Sequence, residues 1–211
     1  MRARSALVAT VVATLVAAAC GGGPTHAGLA DDGATLPPGG GGPAGPAKTA
    51  TAIDPKLAWS GYAEGSAESG PVALAAYHDP DGKKGINALV ITEVSFACNA
   101  CVTETSDMQK SQAGPWSTLG VHVLQLVVDD AGGHLGHATV ASAKAWRDAT
   151  GATWAVVADP AFSFSHEGGN PMPQALIVNP RNLSVVLRIE GYDPGAMSSA
   201  VKDLAHANGA K

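Results

Sequence analysis

The run Ala88-Leu-Val-Ile-Thr-Glu-Val-Ser-Phe-Ala-Cys98-Asn-Ala-Cys101 constrains this chain more than any other stretch. An apolar, β-branched run closed by a short turn and followed by helix-compatible residues (102–110) reads as a strand feeding a helix, with Cys98 at the helix N-terminus. The free N–H groups and the positive dipole end at that position favour thiolate over thiol. Paired cysteines in such settings ionise below the free-cysteine value of about 8.5. The three-residue spacing puts Cys101 one turn further on, on the same face and within disulfide reach.

The chain holds three cysteines, Cys20, Cys98 and Cys101. The first belongs to a different kind of segment. Arg2 and Arg4 form a short basic stretch, and Leu7 to Ala19 is uncharged and too short for a mature membrane span. Residues 1–19 therefore read as a secretory signal ending Leu15-Val-Ala-Ala-Ala-Cys20. This end resembles the cleavage site of bacterial lipoproteins, in which the cysteine becomes the lipidated N-terminus; an ordinary cut near Ala19 is the alternative. On either reading only Cys98 and Cys101 remain in the folded domain. Their loop is too small to staple a fold, so redox or metal chemistry is the expected use.

Removing residues 1–19 leaves 11 Lys and Arg against 18 Asp and Glu, a net charge of −7. With no clustered basic face, nucleic acid is not an expected partner. Residues 20–55 read as a flexible tether: residues 21–46 contain ten Gly and five Pro and almost no large apolar side chain. Such a segment cannot bury enough surface to fold, and as a Gly-rich coil of this length it reaches roughly 30 Å. Residues 56–211 are the right size for one domain with its own core.

Within that domain, residues 71–77 read as a strand and His78-Asp-Pro-Asp-Gly82 as a turn, together forming a hairpin at the domain edge. Further strands are expected over 88–96, 121–128, 154–158, 174–178 and 184–190, with helices over 139–150 and 194–206. Gly114-Pro115 should interrupt the helix after the cysteines. Trp59, Trp116, Trp146 and Trp154 are expected to pack in or near the core. Strands separated by helices, then a terminal hairpin and helix, describe an α/β fold with a mixed sheet and helices on both faces.

At this point the sequence resembles the thioredoxin-like redoxins, in particular the TlpA-like and peroxiredoxin-like envelope groups, over roughly residues 70–205. The resemblance rests on Cys98-Asn-Ala-Cys101 and on Met172-Pro173-Gln-Ala-Leu-Ile-Val, where Pro173 matches the family's cis-proline. It implies a thioredoxin-like fold with an extra strand-helix unit and an N-terminal hairpin. It also implies that Pro173 shapes the groove where a substrate segment docks. The family's Trp before the first cysteine is Ala97 here, and its Pro inside the pair is replaced by Asn99-Ala100. Glu93 is the candidate for the buried carboxylate that assists proton transfer; without a gap that place falls on Thr92.

Two other constellations are present. Ser95-Phe-Ala-Cys98 has the hydroxyl-to-cysteine spacing of peroxiredoxins, the further alternative of a peroxide reductase. His134-Leu-Gly-His137, beside Asp129 and Asp130, could join the cysteines in holding copper or zinc, as in Sco-type copper chaperones. The leading expectation is a thiol-disulfide oxidoreductase without a cofactor, monomeric and lipid-anchored through Cys20. It would face the periplasm or another extracytoplasmic space. Cys98 would attack and Cys101 resolve, exchanging disulfides with client proteins and an upstream thiol donor.

Overall fold

The computed structural model describes residues 52–164 and 171–211. The expected signal (residues 1–19), nearly all of the expected tether (20–55) and His166 lie outside them. Seven strands form one mixed sheet: β1 (Ala58–Tyr62), β2 (Ser69–Ala73), β3 (Ala88–Val94), β4 (Val121–Val127), β5 (Ala155–Ala158), β6 (Gln174–Asn179) and β7 (Ser184–Glu190). Their order is β2-β1-β5-β4-β3-β6-β7. The central strands β3, β4 and β5 are parallel, while β1, β2, β6 and β7 add antiparallel edges. All seven residues of β3 are buried, as expected of a parallel strand covered on both faces.

Four α-helical segments accompany the strands: α1 (Asn99–Ser111) and α2 (Ser117–Leu119) between β3 and β4, α3 (Val140–Thr150) between β4 and β5, and α4 (Pro194–Ala207) after β7. The sheet is covered on both faces, but unequally. The parallel crossovers β3-α1-β4 and β4-α3-β5 step the same way across the sheet, and right-handed crossovers then put both helices on one side. Helix α4 joins them there, and their buried residues, among them Met108, Trp146 and Val201, pack with Val90, Val123, Val156 and Ile177. On the other face Leu89, Ile91, Leu126, Val157 and Leu176 are covered by Trp59, Leu74, Tyr77, Phe164 and Leu183. The only helix on that face among the described residues is the 3-10 turn Leu74–Tyr77.

That turn corrects the expected strand over 71–77. Leu74 and Tyr77, three residues apart, both bury into the same cluster, a spacing that a 3-10 turn eclipses and strand alternation would split. The edge hairpin is formed instead by β1 and β2. The His78–Gly82 turn carries the chain from the sheet edge to its centre. Gly61 of β1 explains why that strand was not legible: an added Cβ there would stand 2.4 Å from the Val156 carbonyl oxygen, so close strand approach demands the one residue with the poorest strand signal.

After α1 the chain makes a wider, π-type turn over Gln112–Trp116, which contains Pro115 and has non-helical angles at Gly114 alone. The expected interruption falls there. Thr139 caps α3 in a reciprocal box with Ser142, and Gly151, at φ 72°, ends it. All four tryptophans are buried. Those at 146 and 154 both donate their Nε1–H to Gln125 Oε1, at 2.8 and 3.3 Å, so the buried indoles do not leave a donor unpaired. The described chain already engages the sheet at Ala52, which bridges to Ser184, and Ile53 N–H donates to the Leu183 carbonyl at 2.9 Å.

Candidate active site

Strand β3 ends at Val94, and the next four residues form a tight, held loop. The Ser95 hydroxyl donates to Asp129 Oδ2 at 2.7 Å, and the Phe96 N–H reaches both oxygens of the same carboxylate at 2.9 and 3.0 Å. Ser95 Oγ in turn accepts the Ala97 N–H at 3.1 Å, and its carbonyl accepts the Cys98 N–H at 3.1 Å. Asp129, wholly buried just beyond β4, is therefore the strut that fixes where Cys98 stands. Phe96 packs edge-on against Trp146 at 5.3 Å between ring centroids, which ties the same loop to α3.

Cys98 is the N-cap of α1, its sulfur accepting the Cys101 N–H at 3.0 Å. Cys98 and Cys101 are joined by a disulfide, with Cα atoms 5.3 Å apart. The two sulfurs are unequally placed. Cys98 is half-buried and flanked by exposed Ala97, Asn99 and Ala100, whereas Cys101 has no exposed surface.

Beneath the pair lies a carboxyl group that the sequence reading did not single out. Glu104 follows Cys101 by three residues, one turn on along the same face of α1, and is fully buried. Its Oε1 accepts the Thr92 hydroxyl, while its Oε2 is buried without a hydrogen-bond partner. Burial pushes its pKa up to about 7, against the smaller lowering effect of the Thr92 hydrogen bond. A second chain of polar contacts runs alongside: Thr105 donates to the Cys101 carbonyl at 2.8 Å and accepts from Gln125 Nε2 at 2.9 Å.

Glu93 does not occupy this position, which corrects its expected role. Adjacent strand residues face opposite sides of the sheet, and since Thr92 faces α1, Glu93 points to the other side. There its Oε1 accepts the Phe164 N–H at 2.8 Å. Its register partner on β6 is Gln174, also buried. The ungapped position, Thr92, is the one under the cysteine helix, and it borrows its carboxyl from Glu104.

The Met172–Pro173 peptide bond is cis. Pro173 is buried immediately before Gln174, the β6 residue paired with Glu93, so it lies at the sheet end from which the cysteine loop leaves. Its carbonyl accepts the Gly191 N–H at 2.8 Å. Met172 and Cys98 are both partly buried against the same hydrophobic cluster.

The two remaining constellations resolve differently. The Ser95 hydroxyl spends its proton on Asp129, so it serves the loop. His134 Nδ1 meets the Asp130 carboxylate at 2.9 Å, and the His134 and His137 rings stand 6.2 Å apart. Among the described residues no group of three or more His, Cys, Asp and Glu side chains is arranged to hold a metal. The same residues contain no helix long and apolar enough to cross a membrane.

No family model matches this chain, and no curated protein matches it. Solved structures do. A thiol:disulfide interchange protein of the thioredoxin family from Chlorobium tepidum TLS aligns over 75% of this chain and 99% of its own, at 17% identity and a TM-score of 0.52. A thiol:disulfide interchange protein from Bacteroides sp. covers 75% and 91%, at 13% identity and a TM-score of 0.52. AhpC from Enterococcus faecalis covers 73% and 90%, at 17% identity and a TM-score of 0.53. The fold of this chain is thioredoxin-like.

Proposed function

We propose that this protein is a thiol-disulfide oxidoreductase acting on cysteine-bearing client proteins. The observation that carries the reading is the unequal Cys98–Cys101 disulfide at the start of α1, one sulfur half-exposed at a helix N-terminus and the other buried. In the reducing direction the Cys98 thiolate attacks one sulfur of a client disulfide, forming a mixed disulfide and releasing the other client sulfur as a thiolate. Cys101 then attacks Cys98, restoring the Cys98–Cys101 disulfide and releasing the second client thiol. The client gains two electrons and the protein loses two; the oxidising direction runs the same steps in reverse.

Cys101 can attack only after losing its proton inside the protein. Glu104, one turn away with an unpartnered oxygen and a pKa raised to about 7, is suited to take and return that proton near neutral pH. Pro173, at the same sheet end, would border the client segment. The lipoprotein-type signal at residues 1–19 supports placing the domain outside the cytoplasm on a lipid attached at Cys20, with residues 20–55 as its tether.

The test is equilibration of the full chain in glutathione buffers of graded ratio, with the Cys98–Cys101 state read by mass after alkylation. A single two-electron transition, together with catalysed reduction or oxidation of a disulfide-bonded protein substrate, is expected. A pair that stays oxidised against excess dithiothreitol would sink the reading. Loss of membrane association on Cys20→Ala tests the anchor separately.

A further inference from the structure

Beside Cys98 stands a loop whose residues beyond Asp129 take no part in the exchange steps above. Residues 129–137 close on themselves: the Asp130 carboxylate accepts the Gly132 and His134 N–H groups at 2.9 and 3.0 Å, and the Gly136 N–H donates to the Val128 carbonyl at 2.8 Å. Asp129 forms an isolated bridge with Leu135, so the residue whose carboxylate holds the cysteine loop also holds this one. Gly133, at φ 80°, brings the loop against the active site: a Cβ added there would lie 3.5 Å from the Ala97 side chain.

Among the exposed residues of the loop Leu135 is the one large apolar side chain, between the polar His134 and His137. Leu135 is 59% exposed, the most exposed large hydrophobic residue among the described ones. Asp130 and His134 satisfy each other, and the exposed residues on either side of Cys98 are the uncharged Ala97, Asn99 and Ala100. Where the loop ends, Ala138 and Thr139 form one wall of a groove of about 540 Å³ whose other lining includes Trp59, Pro71 and Val140. A client that brings a sulfur to Cys98 must cover Ala97, and covering Ala97 brings its neighbouring residues onto this loop.

Resting on the thiol-exchange reading, we infer that Leu135 is a specificity-determining residue: it receives an apolar side chain flanking the cysteine in an extended, uncharged segment of the client. Gly133 joins the loop to Ala97, the residue before Cys98, and the exposed residues that adjoin Cys98 carry no charge with which to pair a charged client. Removing one apolar contact of this kind corresponds to about tenfold in rate, or about 1.4 kcal/mol.

The experiment uses the full chain and two synthetic cysteine peptides as mixed disulfides with a chromogenic thiol, one with Leu and Phe flanking the cysteine and one with Gly and Ser. Wild type should react with the apolar peptide about tenfold faster in kcat/KM. Leu135→Asp should remove that preference while leaving the Gly/Ser peptide and dithiothreitol rates unchanged, and Leu135→Met should retain it. Equal rates for the two peptides in wild type, or an unchanged preference in Leu135→Asp, overturn the inference. A concentration-dependent dimer that dissociates in Leu135→Asp would overturn it in favour of self-association through this loop. Failure of all three reagents to exchange with wild type would instead remove the thiol-exchange reading, and the inference with it.

Discussion

Thr92 of β3 donates its hydroxyl to Glu104 of α1, and this contact puts a buried carboxyl beneath the cysteine pair from the helix rather than from the strand. The strand supplies only a short, buried hydroxyl there. The helix supplies the acid from the residue one turn past Cys101.

The raised pKa of Glu104 makes stability depend on pH with a definite sign. A carboxyl whose folded value, about 7, lies above its ordinary 4.5 binds its proton more tightly when folded. The pH-dependent cost of its burial is therefore absent below pH 4.5, grows between pH 4.5 and 7, and levels off above 7 at about 3 kcal/mol. Glu104→Gln should then gain on wild type as pH rises from 5 to 8, measured by urea unfolding. Its resolving step should meanwhile lose the inflection near pH 7. A difference in stability that is flat with pH would show that Glu104 titrates normally.

Arg181 closes the opposite end of the fold. Its guanidinium donates to the Asp79 carboxylate at 3.0 Å, to the carbonyls of Asp79, Ile86 and Asn208, and to Asn87 Oδ1. Desolvation pushes the Asp79 carboxyl up, but the N–H groups of Lys84 and Ile86 and the Arg181 charge outweigh it and hold the pKa below 3.8. Arg181→Met strands that carboxylate and should lower the melting temperature by about 10 °C without altering the thiol chemistry. The Asp79 contribution is present above pH 3.8 and lost as pH falls through its lower folded value. Asp79→Asn should therefore flatten acid unfolding in that range. An Arg181→Met variant that melts with wild type would show that the remaining contacts hold this end.

Ser95 separates structural from peroxide chemistry. Ser95→Ala removes the 2.7 Å link to Asp129 and the acceptor for the Ala97 N–H. It should cost about 1–3 kcal/mol of stability. Peroxide consumption per reduced protein should not change. A collapse of peroxide turnover with stability intact would return the hydroxyl to a catalytic role.

Much of this was legible in the sequence, for physical reasons that also mark where legibility stops. β3, β4 and β6 were visible because strands buried on both faces read as continuous β-branched runs, and Cys98 was visible because a run ending in a cysteine pair has few other folds. β1 was hidden by Gly61, which sheet packing requires and strand propensity disfavours. Glu104 was hidden because a glutamate on a helix ordinarily faces water. The available signal was its three-residue spacing from Cys101, which places it on the face that must be buried if Cys101 is. Glu93 was misplaced by one residue, and on a strand one residue is the whole thickness of the sheet.

The unequal burial of the two cysteines fixes what trapping variants should do. Cys98 is the half-exposed N-cap of α1, where helix N–H groups favour the thiolate, and Cys101 is inside the helix with no exposed surface. In the reduced protein alkylation at pH 7 should modify Cys98 first, with a pKa below the free value of about 8.5. If Cys98 attacks and Cys101 resolves, as proposed, Cys101→Ser should accumulate as a mixed disulfide that mass spectrometry resolves into its client. Cys98→Ser leaves a thiol that a client disulfide cannot approach and should neither exchange nor trap. Trapping by Cys98→Ser in place of Cys101→Ser would reverse the two roles and require α1 to open at its first turn.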